Sequence, residues 1–310
     1  QGDGHSGAAR HRGGAVSGRI LDGAAIAKEI REEIALEVSA LKTRGITPGL
    51  AVVIVGDGPP SQLCVRRWGV APPEVGMTSE TIRPPAATTG AELLSVVDRL
   101  NADPRIHGFI TQLPLPKHID SEKVLLRISP YKDVDGFHPE NVGKLSVGDS
   151  SGFRPATPYG VHQMLVRSGI ETTGAHAVIV GRSNIVGKPM VSMFLLDEPG
   201  GNATVTVCHS RSKDLPSLTR QADILIVAIG KPEFVTREMV KPGAVVVDVG
   251  INRVSDPSTA KGYKIVGDVA FGPVSEVASA ITPVPGGVGK MTIAMLLLNT
   301  LKAARLAAAR

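Results

Sequence analysis

The sequence predicts an α/β protein of two domains with a ligand cleft between them. Three observations carry that expectation. The chain has 310 residues, enough for two domains at roughly 100–200 residues each. Short apolar runs alternate with helical patterns along most of its length, the order that favours parallel strands covered on both faces by helices. Gly (35) and Pro (23) are abundant, as the many tight turns of such a fold require.

The elements follow in order. Residues 1–18 are rich in Gly, Ala, Arg and His without an apolar period, and are expected to form a disordered leader; its arginines leave a mitochondrial targeting remnant as the alternative to a bland tail. Ile26, Ile30, Ile34, Val38 and Leu41 lie at helical spacing, so a helix is expected over 24–41, stopped by Gly45 and Pro48 before a buried strand at 50–55. A helix over 91–100, a strand at 108–112, the breaker run 113–116 and a helix over 122–128 lead to the loop Lys132–Phe137. A second block opens with a helix over 159–168 and continues through strands at 177–180, 203–207, 224–228, 244–249 and 265–266. The last helix, 291–308, is expected to cross back onto the first domain. The boundaries read as 19–157 plus 290–310 for the first domain and 158–289 for the second.

Composition excludes several functional classes. Apolar residues make up 42% and charged residues 20%, ordinary values for a globular protein and too apolar for wholesale disorder. The net charge is +5, but Lys and Arg are dispersed and aromatics are only 3%. A nucleic-acid binder would show a basic stripe with interleaved aromatics, so nucleic acid is not an expected partner, whereas small anionic ligands are. No membrane span is expected, because the nearest candidate, 291–306, is interrupted by Thr292, Asn299, Thr300, Lys302 and Arg305. Two cysteines, Cys64 and Cys208, are too few for a disulfide framework or a Cys-rich zinc site. No metal site is expected, and a reducing compartment, the cytoplasm, is the default.

Strand 176–180 runs directly into Gly181-Arg182-Ser183-Asn184-Ile185-Val186-Gly187-Lys188-Pro189 and then an apolar helix over 190–196. A glycine-bearing turn between a strand's carboxyl end and a helix N-terminus presents N–H groups to a pyrophosphate, although the same residues serve an ordinary strand-to-helix turn. The following strand ends in Cys208-His209-Ser210-Arg211. It lacks the carboxylate that binds a ribose 2′-hydroxyl in NAD sites, and Arg182 adds a cation, so NADP is the expected cofactor. Cys208 reads as a small core residue, and His209 is open to a role as a solvated strand end.

Six segments taken together resemble the bifunctional methylenetetrahydrofolate dehydrogenase/methenyltetrahydrofolate cyclohydrolase family, in its FolD form without a synthetase domain. They are Gln112 in TQLPLP, KDVDGF at 132–137, GRSNIVGKP at 181–189, VDVGIN at 247–252, VGDV at 266–269 and PVPGGVG at 283–289. The resemblance implies two α/β domains, the second a Rossmann-like doubly wound parallel sheet holding NADP, with folate in the cleft. It implies oxidation of 5,10-methylenetetrahydrofolate to the 5,10-methenyl form, hydrolysis of that product to 10-formyltetrahydrofolate, and a homodimer. By position, Asp135 would hydrogen-bond the pterin's amino edge. Gln112, flanked by Thr111 and Leu113, would stand beside the catalytic amine. Pro285, Gly286, Gly287, Val288, Gly289 and Thr292 would wrap the folate, and Gly181, Arg182, Ser183, Ser210 and Ile251 would hold the nucleotide. Read alone, Asp135 before Gly136 is equally a turn former, and Gln112 equally a capping side chain.

The pattern breaks at one place. The family's S-x-x-Y-V-x-x-K frame, whose Tyr packs on the folate ring and whose Lys transfers the proton in the hydrolytic step, falls on Ser61-Gln62-Leu63-Cys64-Val65-Arg66-Arg67-Trp68. Cys64 stands at the Tyr position and Trp68 at the Lys position. An indole N–H is neither acid nor base near neutral pH, so the hydrolytic step is expected to be impaired; the alternative is a noncatalytic folate- and NADP-binding relative. The change is compact, ending before Glu74-Val75-Gly76, as true divergence or a local sequence error would produce. Pro72 and Pro73 argue against a regular helix through this stretch. Lys290 stands where the family has a helix-start proline.

Overall fold

The computed structural model describes residues 18–56, 71–259 and 261–309. The leader, Ser61, Cys64 and Trp68 lie outside the described residues.

The chain begins with strand β1 (Arg19–Ile20), followed by helix α1 (Gly23–Lys42) and strand β2 (Gly49–Val53). Asp22 caps α1, its Oδ1 accepting from the N–H groups of Ala24 and Ala25 at 2.9 and 3.0 Å, which satisfies donors that every helix start leaves free. Ile30, Ile34, Val38 and Leu41 form the expected buried face, with Ala27 joining it and Ile26 only half-buried. Then come α2 (Ala71–Glu74), β3 (Thr78–Ile82), α3 (Gly90–Ala102), β4 (Gly108–Thr111), α4 (Ser121–Arg127) and α5 (Pro139–Ser146). Pro72 and Pro73 are accommodated because α2 is a single turn that they begin, where a missing N–H costs nothing. β3, unanticipated because it contains one Ile among polar residues, is an edge strand: the sheet order is β3-β2-β4, all parallel. α5 was also hidden in what reads as a loop, yet His138 caps it, Nδ1 accepting from Glu140 N–H at 3.2 Å, and Pro139 occupies its first position.

The second part runs through α6 (Ala156–Arg167), β5 (His176–Val180), α7 (Gly187–Leu195), β6 (Thr204–Cys208), α8 (Leu215–Thr219), β7 (Ile224–Val227), β8 (Val245–Asp248), β9 (Asn252–Ser255), β10 (Tyr263–Val266), α9 (Phe271–Ser275), β11 (Ala280–Ile281) and α10 (Val288–Ala308). Its parallel sheet has the order β1-β11-β8-β7-β5-β6. From β5 the chain passes first to β6 on one side and then to β7 on the other, a doubly wound sheet whose switch point lies at the carboxyl end of β5. The expected strand at 265–266 does not join this sheet; it pairs antiparallel with β9 as a separate hairpin. β1 adds an outer strand to this sheet, Arg19 and Ile20 pairing with Ala280 and Ile281.

Each sheet is covered on both faces. Leu93, Val97, Leu100 and Phe109 fill one side of the smaller sheet, and Val178, Leu225 and Val246 lie in the layer on the outer side of the larger. The inner faces share one core, in which Leu50, Ile110, Ile179 and Ile226 meet α1, α6 and α10. α10 is long and apolar enough to cross a membrane, with mean hydropathy 1.3, but it packs as a core helix, with 56% of that apolar window buried in the fold.

Candidate active site

β4 delivers the first site residue. Gln112 continues the β4 pairing past Thr111, its N–H donating to Val53 at 2.9 Å. Its Nε2 donates to the Leu113 carbonyl at 2.9 Å, so the amide oxygen is turned the other way, unpaired among the described residues. Leu113 precedes a cis proline, Pro114. Thr111 is buried, and its Oγ1 has no hydrogen-bond partner among the described residues.

The Lys132–Phe137 turn lies against β4. Phe109 N–H donates to the Lys132 carbonyl at 3.0 Å, and Lys132 Nζ reaches the carbonyls of Leu100 and Asp103 at 3.0 and 2.7 Å. The turn separates its two aspartates. Asp133 is buried and accepts from Gly136 N–H, His138 N–H and Asn141 Nδ2 at 3.1, 2.7 and 2.9 Å. It is the turn former. Asp135 is half-buried and accepts no hydrogen bond from the described residues; burial, reinforced by the Asp133 charge, pushes its carboxyl up to about 7. A carboxyl so poised stands ready for a ligand's donor edge. Asp133, not among the residues expected from the sequence, carries a turn signal of its own, since it is an Asp three residues before a Gly.

Residues 283–287 form the loop that leads from β11 into α10. Val284–Pro285 is cis and Gly286 has φ +119°, a conformation open to glycine. Gly287 N–H donates to Pro283 at 2.8 Å, and α10 starts at Val288, three residues earlier than expected. Val288 is buried, so its contribution to a ligand is limited to backbone. Thr292 Oγ1 lies 3.0 Å from Thr157 Oγ1, so its hydroxyl is engaged with α6. Pro285, Gly286, Gly287, Gly289 and exposed Lys290 line a cavity of about 310 Å³ together with Gly250 and Ile251. Ile251 is 61% exposed, an apolar side chain left for a ligand to cover.

The candidate nucleotide turn, 181–189, is built around glycines. Gly181, at φ +130°, lies so close to Ala228 that a Cβ would stand 2.3 Å from its carbonyl oxygen, and a Cβ on Gly187 would stand 2.2 Å from the Gly181 oxygen. Ser183 Oγ accepts from Val186 and Gly187 N–H at 3.1 and 3.4 Å, starting α7 at Gly187 rather than at 190. Arg182 and Ser210 are exposed, while Cys208 is fully buried and its thiol is pushed up by burial. His209 closes the Ser210 turn: its Nδ1 accepts from Arg211 N–H at 3.2 Å, and its own N–H donates to Ser212 Oγ at 2.9 Å.

A carboxylate pair unassigned from sequence shapes the floor. Asp248, buried at the end of β8, accepts from the N–H groups of Gly250, Asp268 and Val269 at 2.9, 3.0 and 2.8 Å. Asp268 in turn accepts from Ile229 and Gly230 N–H at 2.7 and 2.9 Å. Gly250 and Gly267 make room, since a Cβ on Gly267 would lie within 1.8 Å of an Asp248 oxygen. The VDVGIN and VGDV motifs therefore hold the carboxyl ends of β7 and β8 in place.

The structure brings one group of the residues expected from the sequence into a shared cavity, the 285–289 loop with Ile251. Phe137, two residues after Asp135, shares a groove of about 620 Å³ with Asn184, Ile185 and Lys188, but Asp135, Gly181, Arg182, Ser183 and Ser210 do not line it. The 285–290 loop shares its cavity with Gly250 and Ile251. Thr111, Gln112 and Leu113 line neither; they reach the Asp135 turn through β4.

A glycine-packed turn at the switch point of a doubly wound sheet, facing a second α/β domain with an unpaired carboxyl, defines a two-domain dinucleotide-binding protein. Residues 21–135 match the tetrahydrofolate dehydrogenase/cyclohydrolase catalytic domain, and residues 155–308 match the NAD(P)-binding domain of the same family. The chain belongs to the tetrahydrofolate dehydrogenase/cyclohydrolase family. It is 57% identical over 287 residues to the bifunctional protein FolD of Moorella thermoacetica, covering 93% of this chain and 99% of the relative. It is 55% identical over 292 residues to bifunctional protein FolD 1 of Myxococcus xanthus, covering 94% and 99%. Among solved structures, the FolD methylenetetrahydrofolate dehydrogenase/cyclohydrolase of Campylobacter jejuni superposes with TM-score 0.87 at 49% identity, covering 93% of this chain and 98% of that one. The Trypanosoma brucei enzyme, solved with NADP and an inhibitor, gives TM-score 0.89 at 39% identity, covering 94% and 99%.

Proposed function

We propose that this chain oxidises 5,10-methylenetetrahydrofolate to 5,10-methenyltetrahydrofolate with NADP, and hydrolyses the methenyl product to 10-formyltetrahydrofolate more weakly than its relatives. The observation that carries the first step is the turn that leads from the carboxyl end of β5 into the N-terminus of α7, the place where a doubly wound sheet offers backbone N–H groups to a pyrophosphate; Gly181 and Gly187 let this turn pack against Ala228 and against itself. Bound NADP would accept the hydride that leaves the methylene carbon. Arg182, Ser183, Ser210 and Ile251 would hold the nucleotide, and the absence of a carboxylate over 208–211 favours a 2′-phosphate. Asp135 would take the pterin's amino edge, and Gln112 would stand beside the place of the family's catalytic amine. In the second step water adds to the methenyl carbon, the bond from that carbon to N5 breaks as N5 takes up one of the water's protons, and the other proton is released. With Cys64 and Trp68 at the Tyr and Lys positions, that proton lacks its carrier, and such a group is worth ~10²–10⁴-fold in rate.

The reading includes a homodimer, tetrahydrofolate derivatives as partners and a cytoplasmic location. Its test is NADPH formation from methylenetetrahydrofolate by the purified protein, followed by methenyltetrahydrofolate hydrolysis in wild type and in a Cys64→Tyr, Trp68→Lys variant. Dehydrogenase turnover with hydrolysis rising in the variant supports the reading. Binding of both ligands with no turnover would replace it with the noncatalytic one.

A further inference from the structure

Arg154 and Glu198 form a two-pronged ion pair, Nη1–Oε1 at 2.6 Å and Nη2–Oε2 at 2.7 Å, that the proposed chemistry does not use. The main chain on each side of this pair leads to a different ligand site. On the arginine side, Asn299 Nδ2 donates to both the Arg154 and the Val134 carbonyls at 2.9 and 2.7 Å. Gly136, at φ +74°, is pressed so close that a Cβ there would lie 2.6 Å from Pro155 N. Residues 154–155 and the Asp135 turn are thus one packed unit. On the glutamate side, Glu198 sits in the turn between α7 and β6, its carbonyl accepting from Gly201 N–H at 2.9 Å. The far end of α7 is Gly187, and the far end of β6 is Cys208, which leads into Ser210. Nine residues of helix, rising about 1.5 Å per residue, form a stiff connection from the nucleotide turn to Glu198.

We propose that Arg154 and Glu198 are a positioning pair that couples the two ligand sites, so that a nucleotide on the Gly181–Gly187 turn and a reduced folate on Asp135 each tighten binding of the other. The proposal rests on the functional reading above. A partly exposed ion pair contributes little to stability, whereas a guanidinium fork fixes the orientation of a carboxylate as an ammonium does not. The Arg154 guanidinium is itself held 5.4 Å over the Tyr159 ring. Coupling is reciprocal by linkage and falls between about 5-fold and 150-fold for typical coupled sites.

The test measures NADP affinity by calorimetry with and without saturating tetrahydrofolate, which lacks the one-carbon unit and so does not react. Wild type should gain at least about five-fold from the folate. Glu198→Gln and Arg154→Lys should abolish that gain while leaving the affinity for each ligand alone and the Tm unchanged. The reversed pair, Arg154→Glu with Glu198→Arg, should recover part of it. An equal gain in wild type and both variants, or no gain in wild type, would overturn the proposal. So would a joint fall in Tm and both single affinities with the gain intact, the mark of a structural role. Failure of either ligand to bind wild type would instead overturn the functional reading, and the coupling with it.

Discussion

The Asn299 side chain and the Val134 carbonyl meet at 2.7 Å across 165 residues of sequence, and this contact fastens the last helix beside Asp135. The same Nδ2 group satisfies Arg154, so one buried amide sets the separation of the Asp135 turn, the inter-domain segment and α10. An Asn299→Leu variant leaves both carbonyls without their donor. A buried orphan costs about 1–3 kcal/mol; urea unfolding should show a lower midpoint at unchanged slope, and reduced-folate affinity should fall with it.

Asp135 gives a pH-dependent signature. Its carboxyl is raised from 3.8 to about 7 by burial and by Asp133, so between those values the native state retains a proton that the unfolded chain releases. Stability therefore declines as pH rises through that window and levels off above it. An Asp135→Asn substitution keeps the shape of the protonated acid and removes its titration. The Tm advantage of that variant over wild type should grow from about pH 4 to about pH 7 and then remain constant, as thermal melts across that range would show.

His162 has the opposite slope. It is 3% exposed, and burial, aided by the Arg154 charge, holds its ring below the usual histidine value of 6.5. The native state takes up its proton less readily than the unfolded chain, so stability is lost as pH falls below that unfolded value. Subtracting the curve of a His162→Gln variant from that of wild type should isolate a loss beginning there. Superimposable curves would mean His162 titrates alike in both states.

Ser183 lies ahead of α7, whose N-cap is Val186, and its hydroxyl accepts from two N–H groups at the helix start. Ser183→Ala should cost about 1 kcal/mol of stability through the lost hydrogen bonds. Because the hydroxyl also fixes the N–H groups of Val186 and Gly187, NADP affinity should fall in titrations while tetrahydrofolate affinity in the absence of nucleotide does not.

Elements with strong periodicity were legible. α1 reads from Ile30, Ile34, Val38 and Leu41, and β7 from four consecutive apolar residues. β3 was not, because an edge strand such as Thr78–Ile82 faces solvent and needs no apolar alternation. α5 was not, because eight residues hold too few apolar positions to show a period. The nucleotide turn was visible as glycines at 181 and 187, but their purpose, contact with Ala228 and with each other, is a tertiary fact. Asp133 and Asp135 look interchangeable in KDVDGF; only the direction of Asn141 separates the carboxylate that builds the turn from the one left unpaired. Asp248 and Asp268 were seen as motif letters, since their N–H partners lie on loops that the chain order does not place side by side.

β1 has a consequence for dissecting the molecule. Arg19 and Ile20 belong to the sheet of residues far downstream, while α10 returns to pack on α1. The two domains are therefore not consecutive beads that a protease cut or a truncated gene would release intact. A fragment starting at Pro155 would keep β11 paired with β8 but leave its other side as the bare edge of the sheet, inviting self-association. A fragment ending there would lose the helix that roofs its inner face. The chain is laced so that each half completes the other, and a faithful half would have to be made by rejoining ends rather than by removing them.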